Sequence, residues 1–363
     1  MNPSILQANP AKCNERRHRV TQSLSPSPSL AGWLRKLPGR LWHWLPTRVN
    51  RPVRVLAWLS VILQVVLIGT GGAVRLTASG LGCPTWPQCT AGSLVDTPEL
   101  GIHGVIEFSN RMLTVVLSIV VILVFLAVLR MRKTRRDLFV LTLIQGLSIP
   151  FQAVLGGITV LSGLNPYVVG LHFVVSILLV ILTTVLVYRV YRGPRGGERL
   201  TPLWFSAGTW LTYVFVGLTV IFGILTTGSG PHAGDNSNAK ALAPRNGLSQ
   251  VLLQDIHSIP AYLTFACTLV LFVAAWVAKD KPRWRSIRRF AAGLLGIELV
   301  QIIVGITQAK EGLPIALVNI HLVLAAILVA LMTAVVLAQR GSAVGERTTG
   351  ELPADDTASL PAN

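Results

Sequence analysis

Residues 104–129 read GVIEFSNRMLTVVLSIVVILVFLAVL, and from Leu113 to Leu129 the run carries no charge. A hydrocarbon core of about 30 Å needs roughly 20 apolar residues in a helix. Seven more stretches meet that requirement, so the spacing predicts eight spans at 53–74, 104–129, 138–160, 168–188, 204–226, 256–278, 289–309 and 314–338. They are rich in Leu, Val and Ile and lack the polar/apolar alternation of barrel strands. The composition agrees, with 52% hydrophobic residues, 13% charged and a mean hydropathy of +0.59. A soluble domain carries about a quarter charged residues. An ordinary soluble enzyme, a disordered chain and a disulfide-rich secreted module are excluded. The sequence is that of an all-α integral membrane protein.

The net charge of +17 would suit nucleic acid if it formed one patch. It is distributed by topology instead. The N-terminal segment up to Arg54, the loops at 130–136, 189–199 and 279–289, and the C-terminal tail hold 27 of the 32 Lys and Arg residues. All of them fall on one side of an eight-span chain, which predicts cytoplasmic termini and even-numbered helices that descend from the outer face. No nucleic-acid partner is implied; the lipid bilayer is the partner. The first span follows a charged leader too long for a cleavable signal peptide. Residues 1–30 and 340–363 read as disordered tails. Trp33, Trp42 and Trp44, interleaved with basic residues, suit the membrane interface.

The spans repeat. Residues 152–172 align without a gap on 301–321, matching Gln152 with Gln301, Gly156 with Gly305, Gly163 with Gly312, Leu164 with Leu313, Val169 with Val318 and His172 with His321. One residue further in offset, Thr77-Ala-Ser-Gly80 matches Thr227-Gly-Ser-Gly230. Two tandem, pseudo-symmetric four-helix bundles are expected, pointing the same way across the membrane about an axis along its normal. The expected organisation is a basic tail at 1–52, an N-terminal bundle at 53–190, a C-terminal bundle at 191–338 and a tail at 339–363.

His103, His172, His257 and His321 each stand near the start of an even helix, within roughly 10 Å of the expected outer surface. A lone intramembrane His is usually a hydrogen-bonding residue. Four of them placed by a repeat point to ligation. Zinc would favour Cys or carboxylate company at compact spacing. Single imidazoles on separate helices suit a flat porphyrin held by axial ligands, one site per bundle. The halves differ, however. Helix 2 places His103, Glu107, Asn110 and Arg111 on one face, whereas the corresponding start of helix 6, His257-Ser-Ile-Pro-Ala-Tyr, has no acid and no Arg. Chemistry is therefore expected in the first half and electron passage in the second. In the outer loop, Cys83 and Cys89 of Gly80-Leu-Gly-Cys-Pro-Thr-Trp-Pro-Gln-Cys89 can form a local disulfide.

Taken together, Gly72-Ala-Val-Arg75-Leu-Thr-Ala-Ser-Gly-Leu-Gly-Cys83, Trp86-Pro-Gln-Cys89, Glu107-Phe-Ser-Asn-Arg111 and the histidines heading helices 4, 6 and 8 resemble the haem A synthases of bacteria and mitochondria, over about residues 53–338. The resemblance implies an oxidoreductase of the bacterial inner membrane that converts the C8 methyl of haem o to a formyl group, giving haem a for terminal oxidases. It implies haem o as substrate in the N-terminal bundle, with His172 as an axial ligand, and a cofactor haem b on His257 and His321, whose iron they hold. Glu107 matches the family's essential carboxylate and Cys83/Cys89 its first-loop cysteine pair. Arg111 would keep Glu107 ionised, and Arg75 would meet a haem propionate.

Two departures stand out. The family pattern reads Glu-x-x-His-Arg, and this chain has Asn110 where that His would be the second substrate-haem ligand. Three readings stay open: His103 takes over, the iron has one protein ligand, or Asn110 contacts it weakly. The outer loop after helix 5 has no Cys pair. The competing classes are a quinol-linked di-haem electron-transfer protein, which leaves Glu107 and Arg111 in one half unexplained, and a transporter. An electron acceptor, the farnesyltransferase that makes haem o, and a second copy of the chain are the further partners to be considered.

Overall fold

The computed structural model describes residues 43–194, 197–232, 244–279 and 281–341. The expected tails at 1–30 and 340–363 lie outside those residues except for Arg340 and Gly341, as do Trp33 and Trp42. Among the described residues eight long helices form: α1 Arg51–Leu76, α2 Gly101–Leu129, α3 Arg136–Leu161, α4 Pro166–Arg192, α5 Leu203–Ser229, α6 Gln250–Val277, α7 Lys281–Lys310 and α8 Ile315–Ala338. Each is long and apolar enough to cross a membrane, and among the described residues only isolated bridges stand for β-structure. The chain is a multi-pass membrane protein. All eight helices fall within one compact unit, Pro46–Asn363.

The helices overrun the apolar stretches at their ends. α7 starts at Lys281, eight residues before the apolar run beginning at 289. Hydropathy stops where the hydrocarbon stops, but Lys and Arg are good helix formers and their stems reach back along the apolar surface. Starts are fixed locally: the Asn50 side chain accepts the Val53 N–H at 3.2 Å, Asn165 accepts the Tyr167 N–H at 3.0 Å, and a proline stands in the first turn of both α1 and α4.

The repeat is visible in the turns. Gly163 and Leu164 after α3 have φ of 60° and 62°, and Gly312 and Leu313 after α7 have 74° and 63°. In both, the leucine N–H reaches back 2.8 Å to a helical carbonyl, that of Thr159 or Gln308. This left-handed stop satisfies orphan carbonyls. A leucine at positive φ is unfavourable by about 1–2 kcal/mol, and the chain keeps one in each copy.

Packing within each half follows sequence order. α1 meets α2, α2 meets α3, α3 meets α4 and α4 returns to α1; α5 to α8 close likewise. Contacts of α8 with α1 and α4, and of α4 with α5, join the halves. This pattern is compatible with tandem four-helix bundles. At the basic ends, one apolar cluster (Val53, Val124, Leu138 and Leu186 among others) closes the first half and another (Phe205, Leu271, Trp284, Ile287) closes the second. A third, with Ile68, Val180, Val216, Val329 and Met332, lies between the halves. Outside, Ile119, Ile122, Leu147, Leu178, Trp210 and Val270 stand exposed, the inverse of a soluble surface and a fit to lipid. The tightly packed basic ends leave the opposite ends for polar side chains.

Phe205 is fully buried with its ring centre 4.9 Å from Trp284, edge to face at 87°. Phe205→Ala is expected to cost about 3–5 kcal/mol, measured as a lower thermal midpoint of the purified protein in detergent.

Candidate functional site

The loop joining α1 to α2 caps the first half at the end opposite the basic loops. Cys83 and Cys89 form a disulfide, with both residues buried. Between them Trp86 lies on α3 at Gly157, where a Cβ would stand 2.5 Å from the ring, so only glycine fits beneath it. Gly82 touches α2 as closely: its Cβ would be 2.1 Å from the His103 carbonyl oxygen.

Two charged side chains of α2 hold this loop. Arg111 pairs with Glu107 at 2.5 Å and donates to the carbonyls of Cys83, Thr85 and Gln88 at 3.3–3.4 Å. The other carboxylate oxygen of Glu107 accepts the Cys83 N–H at 2.7 Å. Glu107 is buried, and a buried charge persists when paired and hydrogen-bonded. The pair therefore anchors the disulfide loop over the bundle, a contribution that helical spacing alone did not reveal.

His103 and Asn110, on the same face of α2, have different partners. His103 Nδ1 lies 2.9 Å from the hydroxyl of buried Ser79, which also meets Thr77. Asn110, two helical turns further along α2, accepts the Thr70 hydroxyl of α1 at 2.7 Å. Arg75 points across to the second half, donating to the carbonyls of Thr227 and His232 at 3.2 and 3.1 Å. His232, in the loop after α5, donates from Nε2 to the Leu313 carbonyl at 2.9 Å. These contacts tie α1, the end of α5 and the turn before α8.

The remaining three histidines share one mounting: each imidazole lies against a glycine of the preceding helix. A Cβ would come within 3.4 Å of His172 at Gly156, 3.1 Å of His257 at Gly223 and 3.2 Å of His321 at Gly305. Gln152 donates to the His172 carbonyl and Gln301 to that of His321. The Nδ1 atoms of His172 and His321 are buried without a hydrogen-bond partner. His257 Nδ1–H donates to the Thr219 carbonyl at 2.9 Å, which leaves its Nε2 lone pair available. The rings of His257 and His321 lie edge to face, with centres 6.3 Å apart at 68°. Imidazole–metal bonds of about 2 Å on opposite faces of one metal would set ring centres about 6 Å apart.

One candidate escaped the sequence reading. Glu298, midway along α7, is buried; Thr268 of α6 donates to one carboxyl oxygen at 2.8 Å and the other has no partner. An acid inside the apolar run 289–309 was the available signal. Among the described residues no three His, Cys, Asp or Glu side chains gather around a point where a metal ion could sit.

The fold and the site define a membrane-embedded helical protein with repeated intramembrane histidines and one loop-covered carboxylate. A profile of the family described as cytochrome oxidase assembly protein matches residues 54–100 and 95–333, and the chain belongs to that family. Similar curated proteins are named haem A synthase. The one from Listeria welshimeri is 26% identical over 289 residues, 77% of this chain and 93% of that protein. The Staphylococcus epidermidis protein is 26% identical over 69% of this chain and 84% of its own length. That of Lysinibacillus sphaericus is 36% identical over 38% of this chain and 47% of its own.

Because Cys83 and Cys89 are joined in a disulfide, a maleimide reagent applied to the denatured, unreduced protein is expected to leave both unmodified. After reduction both should label, with mass spectrometry as the readout. Gly305→Val should displace the His321 ring and lower thermal stability by about 1–3 kcal/mol, as overpacking does.

Proposed function

We propose that the chain takes part in haem a synthesis, oxidising the C8 methyl group of haem o to a formyl group. The observation that supports this most is the inequality of two otherwise repeated halves. One half carries the paired imidazoles of His257 and His321. The other carries the His172 imidazole in the same glycine-backed mounting, together with the buried Glu107–Arg111 pair. In this reading residues 53–190 hold haem o and residues 191–338 hold a cofactor haem b.

The second half fits such a cofactor. Two imidazoles with ring centres at that spacing suit a metal that brings its other donors with it, as iron in a porphyrin does. The Thr219 carbonyl fixes the tautomer and orientation of His257, and Gly223 and Gly305 leave room beside the rings. Bound there, haem b supplies one-electron acceptance; converting methyl and water to formyl releases four electrons and four protons, which an external acceptor and the solvent must finally take.

Glu107 is the group that receives a proton from, or steadies positive charge at, the reacting carbon. Arg111 holds it ionised and, through the Cys83, Thr85 and Gln88 carbonyls, keeps the loop closed against water. Arg75, engaged with Thr227 and His232, retains N–H donors for a propionate. The electron-transfer alternative has no use for the acid, and a transporter none for paired imidazoles.

Expression in a host that makes haem o but no haem a, with a companion oxidase as acceptor, tests the reading. Haems extracted in acid solvent and resolved by chromatography with mass detection should include haem a. Glu107→Gln should lower its yield at least about a hundredfold, the scale of general acid–base catalysis, while both haems still bind. Unconverted haem o with the unaltered chain overturns the reaction, and normal conversion by Glu107→Gln removes Glu107 from it.

A further inference from the structure

Haem ligation in the first half rests on a histidine whose opposite number the repeat locates. His172 and His321 correspond at an offset of 149 residues, as do the glycines behind them, the glutamines on their carbonyls and the turns before them. Both stand six residues into their helices. Opposite His321 is His257, seven residues into α6 and hydrogen-bonded to Thr219 of α5. At the offset of 150 that pairs these two helices, Thr219 falls on Gly69 of α1, one residue from Thr70; the α2 side chain bonded to Thr70 is Asn110, nine residues into its helix. His103 is only two residues in, about 10 Å away along the axis, with Nδ1 engaged by Ser79 in the covering loop. Asn110, not His103, thus occupies the level that His257 holds in the other half.

An amide is a poor substitute for imidazole. Its nitrogen lone pair is delocalised, so it donates hydrogen bonds and does not ligate. The Oδ1 atom already accepts the Thr70 hydroxyl on one lone pair, and the NH₂ group is the donor this side chain offers.

We propose, building on the haem reading above, that the first half ligates its haem through His172 alone. The other face of that iron is open to a small exogenous ligand, of the class of water or carbon monoxide, with the Asn110 amide positioned to donate to it. The second half, with His257 and His321 on both faces, admits none. The site that carries Glu107 is then also the one whose iron can exchange a small molecule, although both halves derive from one pattern.

The test uses the full chain in detergent, loaded with both haems. Reduced protein exposed to carbon monoxide should bind one equivalent per two haems. Oxidised protein should show one high-spin and one low-spin population by electron paramagnetic resonance. Asn110→His should convert the high-spin population to low-spin and abolish carbon monoxide binding. Asn110→Leu should keep the binding but shift the infrared stretch of the bound gas, because a donor is removed; it also serves if the histidine variant does not fold. His103→Ala should leave carbon monoxide binding and spin state unchanged. Two low-spin haems inert to carbon monoxide in the unaltered chain would overturn the proposal, as would His103→Ala opening a site. An unshifted stretch in Asn110→Leu overturns the role given to Asn110. A haem-to-protein ratio that never reaches two fails the haem reading itself, and absorbance against protein mass separates that outcome from the others.

Discussion

Inside the hydrocarbon there is no water to satisfy a backbone or a side chain, and the structure is arranged around that lack. Every span is helical because the helix closes its own N–H and C=O groups. The hydroxyls of Thr142, Thr183, Thr209, Thr264 and Thr333 fold back onto carbonyls four residues earlier in their own helices. They thereby become apolar for packing purposes. Against that background the buried atoms left unpaired stand out, among them the Nδ1 atoms of His172 and His321, one oxygen of Glu298, both ends of the Gln145 amide and the side-chain oxygens of Gln152, Gln301, Gln308 and Asn319. Such atoms are costly in an apolar medium. Two of them belong to the histidines mounted on Gly156 and Gly305.

The two halves spend their polar groups differently. The first gathers Glu107, Arg111 and a disulfide loop over its histidine, and every acceptor of the carboxylate has a donor. In the second, the imidazoles of His257 and His321 are fixed from within by a backbone carbonyl and by packing on glycine. Arg75 and His232 join the two at this end, while Arg192 at the end of α4 donates to the Ser286 hydroxyl of α7 at the basic end. The halves are thus linked at both ends, with an apolar cluster between.

The spans were legible because hydropathy and length suffice for them, and the repeat because Gln, Gly and His are rare enough in apolar helices to align. The four histidines and the Glu107–Arg111 spacing could be read from the same contrast. What could not be read were the partners. Helical periodicity places Glu107 and Arg111 on one face but says nothing of the loop carbonyls that Arg111 gathers. It places His103 beside Asn110 without indicating that one bonds a loop hydroxyl and the other a residue of α1. Arg75 looked available, yet it reaches a helix 150 residues away, a contact that depends on tertiary packing alone. Glu298 was overlooked since a single acid did not lower the hydropathy of its run enough to interrupt it.

The paired turns at Gly163-Leu164 and Gly312-Leu313 also bear on how this chain can vary over evolutionary time. Each turn is followed nine residues later by the mounted histidine, His172 or His321. A helix advances about 100° and 1.5 Å per residue. One inserted or deleted residue in either stretch would swing the imidazole a quarter-turn or more out of the ring of helices. These two connections are therefore closed to length change, whereas the basic loops at the other ends, which set no side chain's bearing, can lengthen or shorten between descendants without disturbing either histidine.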